Sequence, residues 1–574
     1  MPKYPNINDD DFYDKISKIY KDYKVPSNIK SLESICMPKS FKLQMPQQFV
    51  EQFMSSKTIY KGILIYHRIG AGKTCTAVRV GEQWKKQKRI VVVVPASLKG
   101  NFRNELRSLC AENNYLTAAE RKELATLHPT DKKYKDIIKK SDDRIDKYYE
   151  IYSYNKFVEL INTNKMNLKN ALLIVDEVQN MVSEGGSFYE TLYDAIHKAP
   201  DDLRIVLLSA TPMFDKPNEI ALTMNLLRIP KEMPTGKDFD KAFIKTRKRH
   251  DGSYSHKVIN INKFKKLIKG YISFFRGAPQ HVFPKLTVKF VKCEMSSFQS
   301  DAYNRVLANE EKELGVSKDI LKDLNVSDLP NNFYIGTRVI SNIIFPNKKL
   351  GEAGIKSLTD KKILDELEIY STKFFEIMTR IEKCRGKVFV YSAFKEFGGI
   401  RTFIKILEAY GYKDYIGEGD GLRRFAVLSG DENIVTKERI KAVYNMKDNL
   451  AGKKLKIVIG SPATKEGISF TAVRQVHILE PYWNQSRLDQ IIGRASRFCS
   501  HKDLPEEKRN VKVYVYMAVH RKIEQTIDEY MQQLIGQKSK VINEFEKAIK
   551  EAAIDCKLNK NANATGDEEI ICDK

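Results

Sequence analysis

No two of the eight cysteines form a C-x-x-C pair: they stand at 36, 75, 110, 293, 384, 499, 556 and 572. That scatter argues against a zinc ribbon or a disulfide framework and predicts reduced thiols in a cytosolic setting. Long apolar runs are missing too. Stretches such as Ile90 to Val94 (IVVVV) are far short of the ~20 residues a membrane helix needs, and the opening MPKYPNINDDDFYDK has no apolar core of the kind a secretory signal requires. The expectation is a soluble intracellular protein with no membrane partner. Acidic residues fall short as well: 73 Asp plus Glu face 98 Lys plus Arg, formally +25. Such an excess favours a polyanion, nucleic acid first, although a solvated lysine-rich surface gives the same sum.

At 574 residues the chain exceeds one core, and about 150 residues per domain predicts three or four units. The stretch that organises it is KGILIYHRIGAGKT, Lys61 to Thr74. Gly62 to Tyr66 reads as a buried strand, Gly70, Ala71 and Gly72 as a sharp turn, and Cys75 to Trp84 as a helix. Backbone N–H groups of such a turn face phosphate oxygens, and the helix adds its positive end. Lys73 then meets the β and γ phosphates and Thr74 the Mg²⁺ ion. His67 occupies the place of the first glycine in the usual G-x-x-x-x-G-K-[ST] pattern. Upstream, Gln47 lies in FKLQMPQQFVEQFM, and its amide, both donor and acceptor, suits an adenine edge.

ALLIVDEVQN, Ala171 to Asn180, is a second buried strand with two carboxylates at its carboxyl end, the edge where open α/β sheets bind ligands. Asp176 is the candidate to hold Mg²⁺ and Glu177 to deprotonate the attacking water, with Gln179 near the γ phosphate. The strand Arg204 to Leu208 ends in Ser209, Ala210 and Thr211, whose hydroxyls can relay the nucleotide state. Ser153, at another strand end, can touch a phosphate backbone. The charged stretch 111–150 reads as a surface insertion.

Residues 231–360 change character. KTRKRH, KFKKLIKG and YISFFRG interleave cations with aromatics, which suits a nucleic-acid path, while Phe274 and Phe275 read as core. Strand and helix alternation resumes with KVFVYSAF, ending at Ser392. LKIVIGSPATKEGISF carries Thr464, Glu466 and Gly467 in a turn. In RLDQIIGRASRFCSH, Gln490, Arg494 and Arg497 are spaced to share one helix face. Arginines so placed can act as fingers on a transferred phosphoryl group, Arg497 first and Arg494 second.

GAGKT, DEVQ, SAT, KEGISF and QIIGRASR, in this order, resemble motifs I, II, III, V and VI of superfamily 2 helicases and translocases over roughly Phe41 to Met517. YHRIGAGKT, SYNKF, SFFRG, MSSFQSDAY, VISNIIFP, GRASRFCSHKDLP and EKAIKEAAIDCKLNKNAN resemble the poxvirus-type branch of large cytoplasmic DNA viruses, with the early transcription factor small subunit and nucleoside triphosphate phosphohydrolase I. MSSFQSDAY and VISNIIFP are also similar to Snf2-type translocases. Within that branch a histidine at position 67 is at home, whereas Gln179 stands where many relatives have His.

The resemblance implies two recA-like α/β P-loop lobes, 41–230 and 361–520. An entry segment (1–40) precedes them, a basic, mostly helical insertion (231–360) separates them and a helical C-terminal extension (521–574) follows. It implies ATP and Mg²⁺ in a cleft formed by His67, Gly70, Ala71, Gly72, Lys73, Thr74, Asp176, Glu177 and Gln179 with Gly467, Gln490, Arg494 and Arg497. Ser153, Ser209, Thr211, Ser392 and Thr464 are the expected nucleic-acid and coupling positions. The expected activity is nucleic-acid-dependent ATP hydrolysis driving translocation in early viral transcription, in the virion and host cytoplasm. DNA is the expected track ahead of RNA, with viral RNA polymerase or a second transcription-factor subunit as partner. Two other readings stay open: a DNA-binding factor that ATP hydrolysis switches, and an ATPase that displaces bound protein.

Overall fold

The computed structural model describes residues 4–26, 31–38, 40–68, 70–127, 131–248, 254–314, 334–462, 468–482, 484–564 and 570–573. The chain divides into two compact units: 1–245 with 256–279 and 541–574, and 246–255 with 280–540. Each is a recA-like lobe around one parallel sheet.

The first sheet contains β1 (Gly62–His67), β2 (Arg89–Val94), β3 (Tyr149–Ser153), β4 (Ala171–Val175) and β5 (Arg204–Ser209). Beyond the short pair β6 (Ile244–Lys248) and β7 (Tyr254–Val258), its sixth strand is β8 (Ile272–Phe275), and the order is β3-β2-β4-β5-β1-β8. Strands of a parallel sheet are covered on both faces, hence the apolar text of β1 up to Tyr66 and of all of β4; both strands are buried at every position, the terminal His67 of β1 included. Side chains alternate between faces. Leu64, Tyr66, Val91, Leu173 and Leu207 join one core, and Ile63, Ile65, Ile90, Leu172 and Val206 the other.

The second sheet holds β9 (Lys285–Glu294), β10 (Lys387–Tyr391), β11 (Lys413–Asp414), β12 (Arg424–Leu428), β13 (Ile457–Gly460), β14 (Val473–Ile478) and β15 (Asn510–Val519). Its order is β11-β12-β13-β10-β14-β15-β9. Residues 231–360 are therefore more than a linker. They hold helices such as Ser297–Leu314, but β8 completes the first sheet beside β1 and β9 pairs with β15 over ten residues. Phe274 and Phe275 are buried, as core residues should be.

Helix Ile527–Glu551 follows β15, and from Val541 onward the chain belongs to the first unit. There Phe545 packs 5.0 Å from Phe264 and 5.5 Å from Phe239, ring centre to ring centre. The expected C-terminal extension thus completes a core. The expectation of reduced thiols is also corrected. Cys75 is bonded to Cys110 and Cys556 to Cys572, each pair with Cα atoms 5.7 Å apart. Separations of 35 and 16 residues are invisible to a search for local pairs. Cys293 and Cys384 are free and buried. Among the described residues no helix is long and apolar enough to cross a membrane.

The second unit is pinned by a buried ion pair, Lys373 to Asp528 at 2.7 Å. The Lys373 ammonium also donates to Asn342 Oδ1 (3.0 Å) and the Leu479 carbonyl (3.1 Å), and Asp528 accepts the Ala518 N–H (2.8 Å). Asp528→Ala leaves that ammonium buried without its counter-charge. Denaturant unfolding is expected to show a loss of about 3–5 kcal/mol, and a loss below about 1 kcal/mol would mean that water replaces the carboxylate.

Candidate active site

All strands of the first sheet run parallel, so the segments that leave β1, β4, β5 and β8 emerge on one edge. The register is tight: Tyr66 lies beside Ser209 on one side and Phe274 on the other, and His67 beside Phe275.

After β1 the backbone turns through Gly70 (φ 85°) and Gly72 (φ 73°), left-handed conformations that glycine adopts without a Cβ penalty. Gly72 is also crowded: a Cβ there would sit 2.4 Å from Gln47 Nε2. Helix Lys73–Trp84 starts at once, two residues earlier than the sequence suggests. Among the described residues the N–H groups of Gly72, Lys73, Thr74 and Cys75 carry no hydrogen bond, the usual state of a helix start. The helix is secured one turn on, where Thr76 donates to the Gly72 carbonyl from its N–H (3.0 Å) and hydroxyl (3.1 Å). Buried Ala71 lies against Gly277, whose Cβ position is 3.5 Å from that of Ala71. The glycine of SFFRG thus shapes the turn, a role that no local pattern announces.

Gln47 is buried beside this turn. Its Oε1 accepts the Gln44 N–H (2.8 Å) and its Nε2 donates to the Gly72 carbonyl (3.2 Å). One further N–H and one lone pair of the amide remain for a base edge. His67 is fully buried, with Nε2 2.8 Å from Ser273 Oγ. Burial first, and then the charge of Lys73, lower its pKa to about 3, so the ring is neutral.

At the end of β4, Asp176 Oδ1 accepts the Glu177 N–H (2.9 Å). Glu177 adopts the left-handed region (φ 49°) that ends the strand abruptly. Glu177 Oε2 accepts from Gln179 Nε2 (2.6 Å), Gln179 Oε1 accepts from the Ser209 hydroxyl (2.7 Å), and Ser209 Oγ accepts the Thr211 N–H (3.0 Å). An unbroken chain of bonds therefore joins the carboxylate to the turn after β5. The Thr211 hydroxyl is buried with no partner among the described residues. Glu219 steadies the next residues by accepting the N–H groups of Phe214 (2.5 Å) and Asp215 (2.9 Å). Ser153 caps helix Tyr154–Asn162, its Oγ accepting the Lys156 N–H (3.4 Å). Its neighbour Tyr154 lies under the acidic pair, its hydroxyl 2.6 Å from the Asp176 carbonyl and 2.9 Å from that of Glu177.

In the second unit, helix Gln485–Ala495 is capped by Asn484, which accepts the Arg487 N–H at 2.7 Å. Gln490 and Arg494 lie on it; Arg497 does not. Ser496 leaves helical geometry (φ −116°, ψ 75°), so the helix, and the face predicted for all three, ends at Ala495, two residues before Arg497. Arg494 is buried, donating to the Ile468 carbonyl (3.3 Å), while half-buried Arg497 donates to the Gly493 carbonyl (3.0 Å). Ser392 is buried and its hydroxyl donates to Glu480 Oε1 (2.6 Å), so it holds a partner inside the lobe. Thr464, Glu466 and Gly467 lie outside the described residues.

The donors at the first edge are hard oxygens, the Thr74 hydroxyl and the Asp176 carboxylate, next to a helix start rich in N–H groups. That set fits a phosphate ester with Mg²⁺ and does not suit a soft thiophilic metal.

Fold and site together define a P-loop ATPase built from two recA-like lobes. The chain belongs to the SNF2-related family of superfamily 2 helicases: the SNF2-related domain matches residues 46–382 and the helicase conserved C-terminal domain residues 372–499. It is 52% identical over 573 residues to a protein of Acanthamoeba polyphaga mimivirus named "putative ATP-dependent RNA helicase", covering 100% of this chain and 99% of that one. A "putative helicase" of Invertebrate iridescent virus 3 is 28% identical over 574 residues, 91% of this chain and 54% of that protein. The "termination factor NPH-I homolog" of African swine fever virus is 25% identical over 572 residues, 87% of this chain and 77% of that protein.

Proposed function

We propose that this enzyme is a nucleic-acid-dependent ATPase that translocates on DNA during early transcription of a large DNA virus, in the virion and the host cytoplasm. The observation that carries the reading is the chain Glu177–Gln179–Ser209–Thr211, because it couples a hydrolytic carboxylate to a turn that can meet a track. Gly70, Ala71, Gly72 and Lys73 bind the phosphates, with His67 behind them and Gln47 at the base. Thr74 and Asp176 hold Mg²⁺, which when bound neutralises phosphate charge. Glu177 takes the proton of the attacking water, Gln179 registers the γ phosphate, and Arg497 and Arg494 stabilise the developing charge. Gln490 and Gly467 complete nucleotide recognition. Ser153, Thr211 and Thr464 contact or sense the track, while Ser209 and Ser392 act from within their lobes.

The net charge of +25 supports a polyanionic track. The African swine fever relative's name supports a place in transcription, with the viral polymerase or a second factor subunit as partner. The mimivirus relative's name makes RNA the competing track. Steady-state ATP hydrolysis without nucleic acid and with single-stranded DNA, duplex DNA or RNA, each at two salt concentrations, tests the proposal. DNA is expected to stimulate strongly and the stimulation to fall as salt rises, as phosphate contacts require. Equal hydrolysis in all four overturns the coupling and leaves an ATPase switched by a protein partner.

A further inference from the structure

The three residues that lead into the phosphate loop are all held from the far end of the chain. Tyr66 donates from its hydroxyl to Glu546 Oε1 (2.5 Å), and Arg68 from Nη2 to Glu546 Oε2 (2.9 Å). Between them, His67 Nε2 lies 2.8 Å from Ser273 Oγ, which lies 2.6 Å from Asp555 Oδ2. Asp555 is buried at the start of helix Cys556–Asn563, and its Oδ1 accepts the Phe274 N–H (2.9 Å). The same segment fixes β8 through Ile554 N–H to the Ile272 carbonyl (2.9 Å) and Asn563 Oδ1 accepting the Arg276 N–H (2.8 Å).

The donors and acceptors of this relay fix where its protons lie. Asp555 is surrounded by donors, the Phe274 N–H on Oδ1 and the Ser273 hydroxyl and the Asn559 amide (2.9 Å) on Oδ2, so it stands in the relay as an acceptor. The Ser273 proton therefore points to Asp555, and Ser273 Oγ must accept from His67, which places the single ring proton on Nε2. His67 Nδ1 is then a bare lone pair, and it is buried with no hydrogen-bond partner among the described residues. Lys73 opens the helix six residues further on, across the glycine turn that His67 leads into.

We propose that Asp555 is a positioning residue for the phosphate loop: through Ser273 it locks His67 in the tautomer whose Nδ1 accepts a hydrogen bond from Lys73 when the loop holds a nucleotide. This rests on the reading of Gly70 to Thr74 as the nucleotide site. It explains why a histidine replaces the usual glycine at 67 and why the chain's last segment is built into this lobe.

Asp555→Asn reverses the relay at almost constant shape. The amide keeps an acceptor for Phe274 but turns a donor to Ser273, whose hydroxyl then donates to His67 Nε2 and drives the ring proton to Nδ1. Asn559, whose Oδ1 has no partner, can rotate its amide to accept the second new N–H. The first readout is ¹⁵N NMR of histidine-labelled full-length protein without nucleotide, with His67→Gln identifying the signal. Nδ1 is expected to move from the unprotonated to the protonated range. The second is kinetic: KM for ATP is expected to rise on the order of ten- to a hundredfold, the size of one charge-assisted hydrogen bond, with a much smaller change in kcat. Ser273→Ala, which removes the relay and leaves Asp555 in place, is expected to raise KM likewise and carries the test if Asp555→Asn does not fold. An unprotonated Nδ1 in Asp555→Asn, or an unchanged KM in both variants, overturns the proposal. Failure of the underlying reading is separate: Lys73→Ala would then hydrolyse ATP at the wild-type rate, while the tautomer of His67 would still report on the relay.

Discussion

Lys73→Ala is expected to lower ATP turnover by roughly 10³-fold or more, to near background, while binding of nucleic acid stays close to wild type. Lys73 is the first residue of the helix that follows the glycine turn, and the N–H groups around it, which carry no hydrogen bond among the described residues, survive the substitution. Ground-state binding of a nucleotide therefore weakens without vanishing. What disappears is a cation placed where charge builds up as the terminal phosphoryl group transfers, and such an interaction acts mainly on the transition state. Truncation also removes the proposed donor to His67 Nδ1, but burial alone keeps that ring neutral, so no new charge appears behind the turn. Single-turnover hydrolysis, fluorescent-nucleotide binding and DNA binding on one preparation separate these contributions. Hydrolysis at the wild-type rate would remove the phosphate role from the glycine turn altogether.

The strands and motifs of this lobe were legible because they are local. Five apolar residues ahead of Asp176 and Glu177, or a short apolar run ahead of the Gly70 to Thr74 turn, announce a buried parallel strand. Gln179 and Ser209 stand out in sequence as polar residues at two strand ends, and the structure joins these two separate motifs by a hydrogen bond. What escaped is set by contacts distant in sequence. Ile272 to Phe275 is three apolar residues and a serine inside lysine-rich text, and only its place beside β1 makes it a sheet strand. Asp555 and Asn559 stand one helical turn apart, an ordinary polar face until Ser273, 282 residues earlier, is set against Asp555. The cysteine pairs escaped for the same reason. Ser392 shows the reverse limit: a hydroxyl at a strand end suggests a surface contact, but buried Glu480 claims it. Arg497 failed on geometry, since i, i+3 spacing places two residues on one face only while the helix continues.

That last difference sharpens the arginine assignment. Arg494 is 8% exposed, and its guanidinium donates to the carbonyl of Ile468, so it braces the start of the segment that enters β14. Arg497 lies beyond the helix end, half-buried, with Nε on the Gly493 carbonyl and its backbone N–H on Ser500 Oγ (3.2 Å). A guanidinium held at Nε keeps its two terminal nitrogens in a fixed plane, the arrangement that recognises phosphoryl oxygens in pairs. Arg497→Ala is therefore expected to reduce kcat by roughly 10³-fold or more and to leave nucleotide affinity within a few-fold of wild type. Arg497→Lys is expected to recover little, because an ammonium restores the charge but not the planar fork. Arg494→Ala should differ in kind, with a lower unfolding midpoint accompanying any loss of rate. Measuring kcat, nucleotide Kd and unfolding side by side for the three variants decides the matter. A lysine variant with wild-type kcat would reduce Arg497 to a source of charge, and a stable Arg494→Ala protein with the larger loss of rate would exchange the two roles.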